Sequence, residues 1–362
     1  EFMMASYDLQ AVLKKHKGFW DRTEGPLLNI SEAEDSLFSP LHGISITLAD
    51  GSVLSEGTEI LTPEMLDPST ILDVEEFPLR TKPPVKGEPM MEGDLFVTRS
   101  PIGKFVWVEA VLGCDVVPRL DTGSVYSAPF LKSSSQHTEI IKPEDSPWLA
   151  VLAEYTRQLI EDSDGDYQVT QCLQRGPIDL ASAVLGHSRM CMAIYDDPDN
   201  LQDLIETTTH SFIVAAKAQQ DQVPQLEGGY TNCFGIWSPG TVVRTQADVV
   251  SSVSAKTYKD VFFPWDRYIC EQFDYSVIHT HSGYLHHMEV VLEEEHPTAI
   301  QVSLDTGSTP YQVRDLLPIF KRVLEVKPLI IQGDMTKDEM DLLLDELPHK
   351  GLCISPWAFP MD

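Results

Sequence analysis

The sequence predicts an α/β protein: a (β/α)8 TIM-type barrel carrying a β-rich, irregular N-terminal embellishment. Three observations lead there. In the last third of the chain, strand starts recur every 20 to 30 residues with a helix in each gap, which is the βα unit of a parallel sheet. The strands are apolar throughout, as strands buried on both faces are. No glycine-rich dinucleotide turn follows any strand, which favours a closed barrel over an open sheet. The expected organisation is an embellishment over residues 1–104 packed on a barrel over 105–362, the two forming one structural domain.

The elements follow in order. Residues 20–105 are rich in Pro, Glu and Asp, with short β-like pieces such as Gly43 to Leu48 before the turn signal Ala49-Asp50-Gly51-Ser52. Pro83-Pro84 and Lys86 to Pro89 break any regular element. Pro147 to Glu161 carries an apolar helical stripe (Leu149, Leu152, Ala153, Leu159, Ile160). Tyr167 to Leu173 reads as a strand running into Arg175-Gly176-Pro177. Asp197-Pro198 is a helix start, an acidic N-cap followed by Pro at the first helical position, for a helix reaching about Gln220. Strands follow at 277–280, 298–304, 329–332 and 352–355, with helices at 284–295, 309–325 and 336–347 between them. The last helix opens on Thr336 with acids in its first turn.

Composition narrows the function. Twenty-six basic against fifty-six acidic residues give a net charge of −30. That repels nucleic acid and anionic membrane surfaces, so neither is expected as a partner. No apolar run approaches the length of a membrane span. The six cysteines are widely spread with no CxxC pair, which reads as reduced thiols and a cytoplasmic location. Glu1-Phe2 ahead of two methionines reads as a cloning remnant, with no signal-peptide core behind it.

The chemistry concentrates at the strand ends, where a barrel places its active site. Tyr275 to Ile278 is an apolar strand closing on His279-Thr280-His281-Ser282-Gly283. Residues two apart on a strand share a face, so His279 and His281 point the same way and can bind a metal or move protons. The other ends carry Arg175, Asp305, Asp334 and Cys353. Cys353 reads either as a third ligand or as a small buried hydrophobe. Asp305 reads either as a carboxylate orienting a ligand histidine or as a helix cap. Arg175 suits an anionic group of a substrate, and equally an ion pair with one of the many acids. Tyr230 and Trp237 flank a glycine-rich segment and could line a pocket for a flat cofactor, or pack in the core. His286-His287 reads as exposed.

Several segments together resemble the uroporphyrinogen decarboxylase superfamily, which includes corrinoid-linked methyltransferases. Arg175-Gly176-Pro177 through Leu185-Gly186 is similar to its Gly-Pro, Leu-Ala, Leu-Gly segment. Tyr195-Asp196-Asp197-Pro198 opens a long helix as in that family, and Asp248, Ser254, Tyr258 and Pro264 resemble a further stretch. Ile278 to Gly283 stands where the family has a strand ending in His-x-Cys-Gly, and the N-terminal edge is Glu109 to Cys114. The resemblance implies a barrel over nearly the whole chain and, on the methyltransferase branch, zinc held by His279, His281 and Cys353, a small-molecule substrate, and a corrinoid (cobalamin-type) carrier on a partner protein. His281 replaces the family's cysteine, which argues against a thiol-activating site. The Arg-rich N-terminal segment that grips tetrapyrrole carboxylates has no counterpart around Phe19 to Arg22. The alternatives are a metal-independent decarboxylase with histidine proton donors, and a non-catalytic corrinoid- or tetrapyrrole-binding protein.

Overall fold

The computed structural model describes residues 7–29, 48–52, 54, 60–71, 88–102, 105–119, 124–305 and 312–356. Its centre is a six-stranded, wholly parallel sheet. In chain order its strands are β1 (Leu27–Leu28), β4 (Val242–Gln246), β5 (Tyr275–His281), β6 (Ala299–Leu304), β7 (Leu329–Gly333) and β8 (Leu352–Pro356). The spatial order is β1-β8-β7-β6-β5-β4. A second parallel pair joins β2 (Thr98–Arg99) to β3 (Gln168–Val169). Single backbone bonds connect the two pieces: Asp94 N–H donates to Leu28 O at 2.8 Å, and Gly176 N–H to Gln246 O at 2.9 Å.

The α/β class with a parallel central sheet is as expected, and two features bear on the expected barrel and its N-terminal covering. Among the described residues no continuous ladder closes the sheet into a barrel. Within the first 104 residues, β1 pairs with β8 in register (Leu27 with Cys353) and β2 pairs with β3. Two-residue strands carry too little alternation to be recognised in sequence.

The two faces of the sheet divide the core. Ile278, Ile300, Val302, Leu329, Ile331, Leu352 and Ile354 point outward into a large cluster with the helices. These include α2 (Pro147–Ser163), α3 (Pro177–Leu185), α4 (Pro198–Gln220), α5 (Val313–Val326) and α6 (Lys337–Glu346). The opposite face begins with an apolar floor of Leu27, Val242, Val277, Ala299, Ile330 and Cys353, packed with Phe19 and Trp20. Further along the strands the same face turns polar, at Arg244, His279 and Gln301. The site therefore rests on a dry base at the C-terminal ends of the strands.

Local signals mostly hold. The 198–220 helix is present, and Thr336 and Glu339 form a reciprocal capping box at the start of the last helix. Asp50 takes the Ser52 N–H at 2.9 Å in the expected turn. Residues 43–47 and the breaks at 83–84 and 86–87 lie outside the described residues. The expected 284–295 helix is shorter, a 3-10 turn Ser282–Tyr284 and a helix Met288–Leu292. The helix expected at 309–325 is observed at Val313–Val326, and the strand expected at 167–173 is only Gln168–Val169. His287, expected at the surface, is buried, while His286 is exposed. Strand β4 was not anticipated.

Candidate metal centre

His279 and His281 lie on one face of β5, as alternation requires, with their Nε2 atoms 3.1 Å apart. Each ring is held at its other nitrogen. Gln301, paired with His279 in the β5–β6 register, donates its Nε2 to Ser303 Oγ at 3.1 Å. Its Oε1 therefore faces His279 Nδ1, which donates to it. Asp305 Oδ1 accepts from His281 Nδ1 at 2.7 Å, and Asp305 Oδ2 accepts from the Gly283 N–H at 3.0 Å. With the ring protons assigned from this network, both sit on Nδ1 and both Nε2 atoms present lone pairs. Burial, then the nearby Arg244 and His281, holds His279 well below the usual histidine pKa, so its ring is neutral.

The third member is Asp248, just beyond β4. Its Oδ1 lies 3.5 Å from His281 Nε2 and 3.8 Å from His279 Nε2. Gln246 Nε2 donates to Asp248 Oδ2 at 2.5 Å and Tyr284 OH to its Oδ1 at 3.0 Å. The backbone is held by Asp179, whose carboxyl takes the Asp248 and Val249 N–H groups at 3.1 and 2.8 Å. Burial and the Asp248 charge raise the Asp179 pKa well above the carboxylate range. Asp248, His279 and His281 thus form a group that could hold a metal ion, with one donor atom from each, all within 4.8 Å of one another. Lone pairs converging with no hydrogen between them repel unless a cation joins them, and two imidazoles with a carboxylate suit a divalent transition metal. Asp305 and Gln301 stand behind the histidines as the acceptors such ligands use.

Cys353 is not brought into this group. It faces the same interior but lies in the apolar floor, in register with Leu27 and Ile330. It is fully buried, and burial pushes its thiol pKa up, which disfavours the thiolate a metal needs. Asp248 takes the place expected of it. Arg175 pairs with buried Glu109 at 3.3 Å and is itself partly exposed. It opens onto a cleft of about 370 Å³ also lined by Ser182, His187, Asp179 and Asp248. At its inner end that cleft reaches Asp248.

Tyr230 and Trp237 stand apart from this group, and Tyr230 lines a separate small cavity. They lie on a small hairpin, Tyr230–Thr231 with Trp237–Ser238. Trp237 is buried with Leu13 and Phe96, and its indole N–H donates to Leu226 O at 2.8 Å. Tyr230 packs against the apolar floor, and its hydroxyl accepts from Gln225. Sequence reasoning did not single out Gln301, Tyr284 or Arg244, and met Asp248 only within a family-like stretch. A signal for Gln301 existed: one amide in an otherwise apolar strand, opposite a histidine.

Residues 103–226 match the model of the uroporphyrinogen decarboxylase (URO-D) family. The match spans about a third of the chain, and over that stretch the sequence is similar to this family. Among solved structures, a methyltransferase from Methanosarcina mazei aligns with a TM-score of 0.50 at 15% identity, over 70% of this chain and 72% of that one. At that identity the likeness speaks to the fold. A search of curated proteins gives no significant match. Among the described residues no helix is long and apolar enough to cross a membrane.

Proposed function

We propose that this uroporphyrinogen decarboxylase-like chain is a zinc-dependent methyltransferase, exchanging a methyl group between a small molecule and a corrinoid carried by a partner protein. The observation that carries the reading is the set of three lone-pair donors, two of them oriented by Gln301 and Asp305. The structural likeness to a methyltransferase supports the choice of reaction class. We read the parallel strands β1 to β8 as a barrel split at two seams, with the metal group at the mouth formed by their C-terminal ends.

Asp248, His279 and His281 would hold the zinc. When bound, zinc is a Lewis acid that polarises the heteroatom from which, or to which, the methyl group moves. Gln301 and Asp305 keep both Nε2 lone pairs directed inward. Tyr284 and Gln246 hold the Asp248 carboxylate toward the same point. Arg175, at the edge of the cleft, orients an anionic end of the substrate. The floor of Val277, Ala299 and Ile330 excludes water from below.

Elemental analysis of purified protein tests this. About one zinc per chain is expected in the wild type, with loss in Asp248→Ala and His281→Ala. Protein that stays free of zinc and does not take it up at micromolar concentration refutes the reading. It would leave two facing histidines with one proton between them, as a decarboxylase would use.

A further inference from the structure

Behind the metal group, Arg244 is buried in an unusual way. It projects from β4 on the interior face and is 7% exposed. Among the described residues no carboxylate makes an ion pair with it. Its Nη1 donates to Gln246 Oε1 at 2.6 Å and to Gln174 O at 3.4 Å, both neutral acceptors. Gln246 in turn donates to Asp248, so this edge of the guanidinium faces the metal group. The other edge is unsatisfied, since Nε has no partner.

Arg244 also lines a second cavity, of about 20 Å³, together with Thr170, Gln171, Thr231, Asn232 and Cys233 among others. Asn232 Nδ2 and Thr231 Oγ1 are also buried and without a partner. The orientation of Asn232 is set, because its Oδ1 accepts the Phe234 and Ile236 N–H groups at 2.9 and 3.2 Å and leaves the NH2 free. The ionisable groups nearest the guanidinium are Asp248 and Asp179, beyond ion-pair reach, and the thiols of Cys233 and Cys172. Burial pushes those thiols up to about 11 and about 12, so they stay protonated and carry no charge. A buried guanidinium without an ion pair is costly, and donors without acceptors add to that cost. Water would satisfy the hydrogen bonds but not the charge.

We propose that Arg244 and Asn232 hold one small monoanion, of the size of chloride, bromide or formate, in this cavity. The volume decides the class: the space exceeds the roughly 10–15 Å³ that one water needs, and no substrate tail or phosphoester fits. The anion neutralises Arg244, which otherwise disfavours a cation at His279.

The test uses bromide and the full-length protein. Anomalous scattering from bromide-soaked crystals should place a peak within hydrogen-bond distance of Arg244 Nε and Asn232 Nδ2. In solution, bromide and formate should raise the melting temperature saturably at constant ionic strength, with sulfate as the control. Asn232→Asp keeps the Oδ1 acceptor and sets a built-in carboxylate beside Arg244. It should abolish the bromide response without lowering the melting temperature, and Arg244→Gln should abolish the response as well. Ordered water with no anomalous peak, or an equal bromide response in wild type and Asn232→Asp, overturns the proposal. Neither outcome depends on the zinc content of the protein.

Discussion

Asp305→Asn removes a charge from behind His281 while keeping the shape of the side chain. In the wild type, Asp305 Oδ1 takes the His281 Nδ1 proton at 2.7 Å and Oδ2 takes the Gly283 N–H at 3.0 Å. Asparagine offers one acceptor oxygen for these two donors, and its NH2 group opposes whichever is left. Either His281 loses its partner or its proton moves to Nε2, where it blocks the metal. Loss of a partner of this kind costs roughly 10- to 100-fold in metal affinity. That is about 1.4 to 2.8 kcal/mol, at 1.4 kcal/mol per tenfold. Competition titration of zinc or cobalt against a chromophoric chelator measures it, with the apo-protein melting temperature recorded alongside. Asp305 is partly exposed, so the apo-fold should change little. An affinity within twofold of wild type would refute the role assigned to Asp305 and the proton assignment that rests on it.

Three further outcomes are expected. Gln301→Leu should weaken metal binding by a similar 10- to 100-fold through His279, since leucine cannot accept the Nδ1 proton; an unchanged dissociation constant counts against the assignment. Cys353→Ala should cost about 1 kcal/mol in urea unfolding as a small core truncation, while zinc content stays at the wild-type level; loss of zinc would return the thiol to the ligand set. His16 is fully buried, accepting the Trp237 N–H on Nδ1 and donating Nε2–H to Asp94 O, and burial lowers its pKa to about 4 from the usual 6.5. A depressed histidine contributes stability that is complete above about pH 6.5 and is lost as pH falls through about 4, at most roughly 3 kcal/mol. Urea unfolding at pH 7 and pH 4.5 should therefore show a smaller acid loss in His16→Asn than in wild type, and parallel losses would contradict it.

Legibility in the sequence tracked the range of the forces involved. The facing of His279 and His281 needed only the two-residue period of one strand, and the capping box at Thr336 only a single turn of helix. Asp305 was readable as a partner of the histidines because it ends the next strand, one βα unit on. Asp248 was harder, since it lies outside its strand and reaches the site through bonds from Asp179, Gln246 and Tyr284, all at a distance in the chain except Gln246. Cys353 misled because strand alternation specifies the face of a side chain and not its distance across the sheet. Its register row runs through Ile330 and Gln301 to His279, so what keeps Cys353 from the histidines is a separation of three strands and the apolar packing around it.

By itself the sequence determined the α/β class, the parallel βα repeats of the last third, the superfamily resemblance and the histidine pair, because local period and capping carry those. Tertiary structure alone decided that the short strand β1 enters the sheet while β2 pairs with β3, that Asp248 and not Cys353 stands beside the two histidines, and that Arg244 is buried without an ion pair among the described residues. These depend on which strands lie side by side and in what register, and register is settled by packing between segments far apart in the chain.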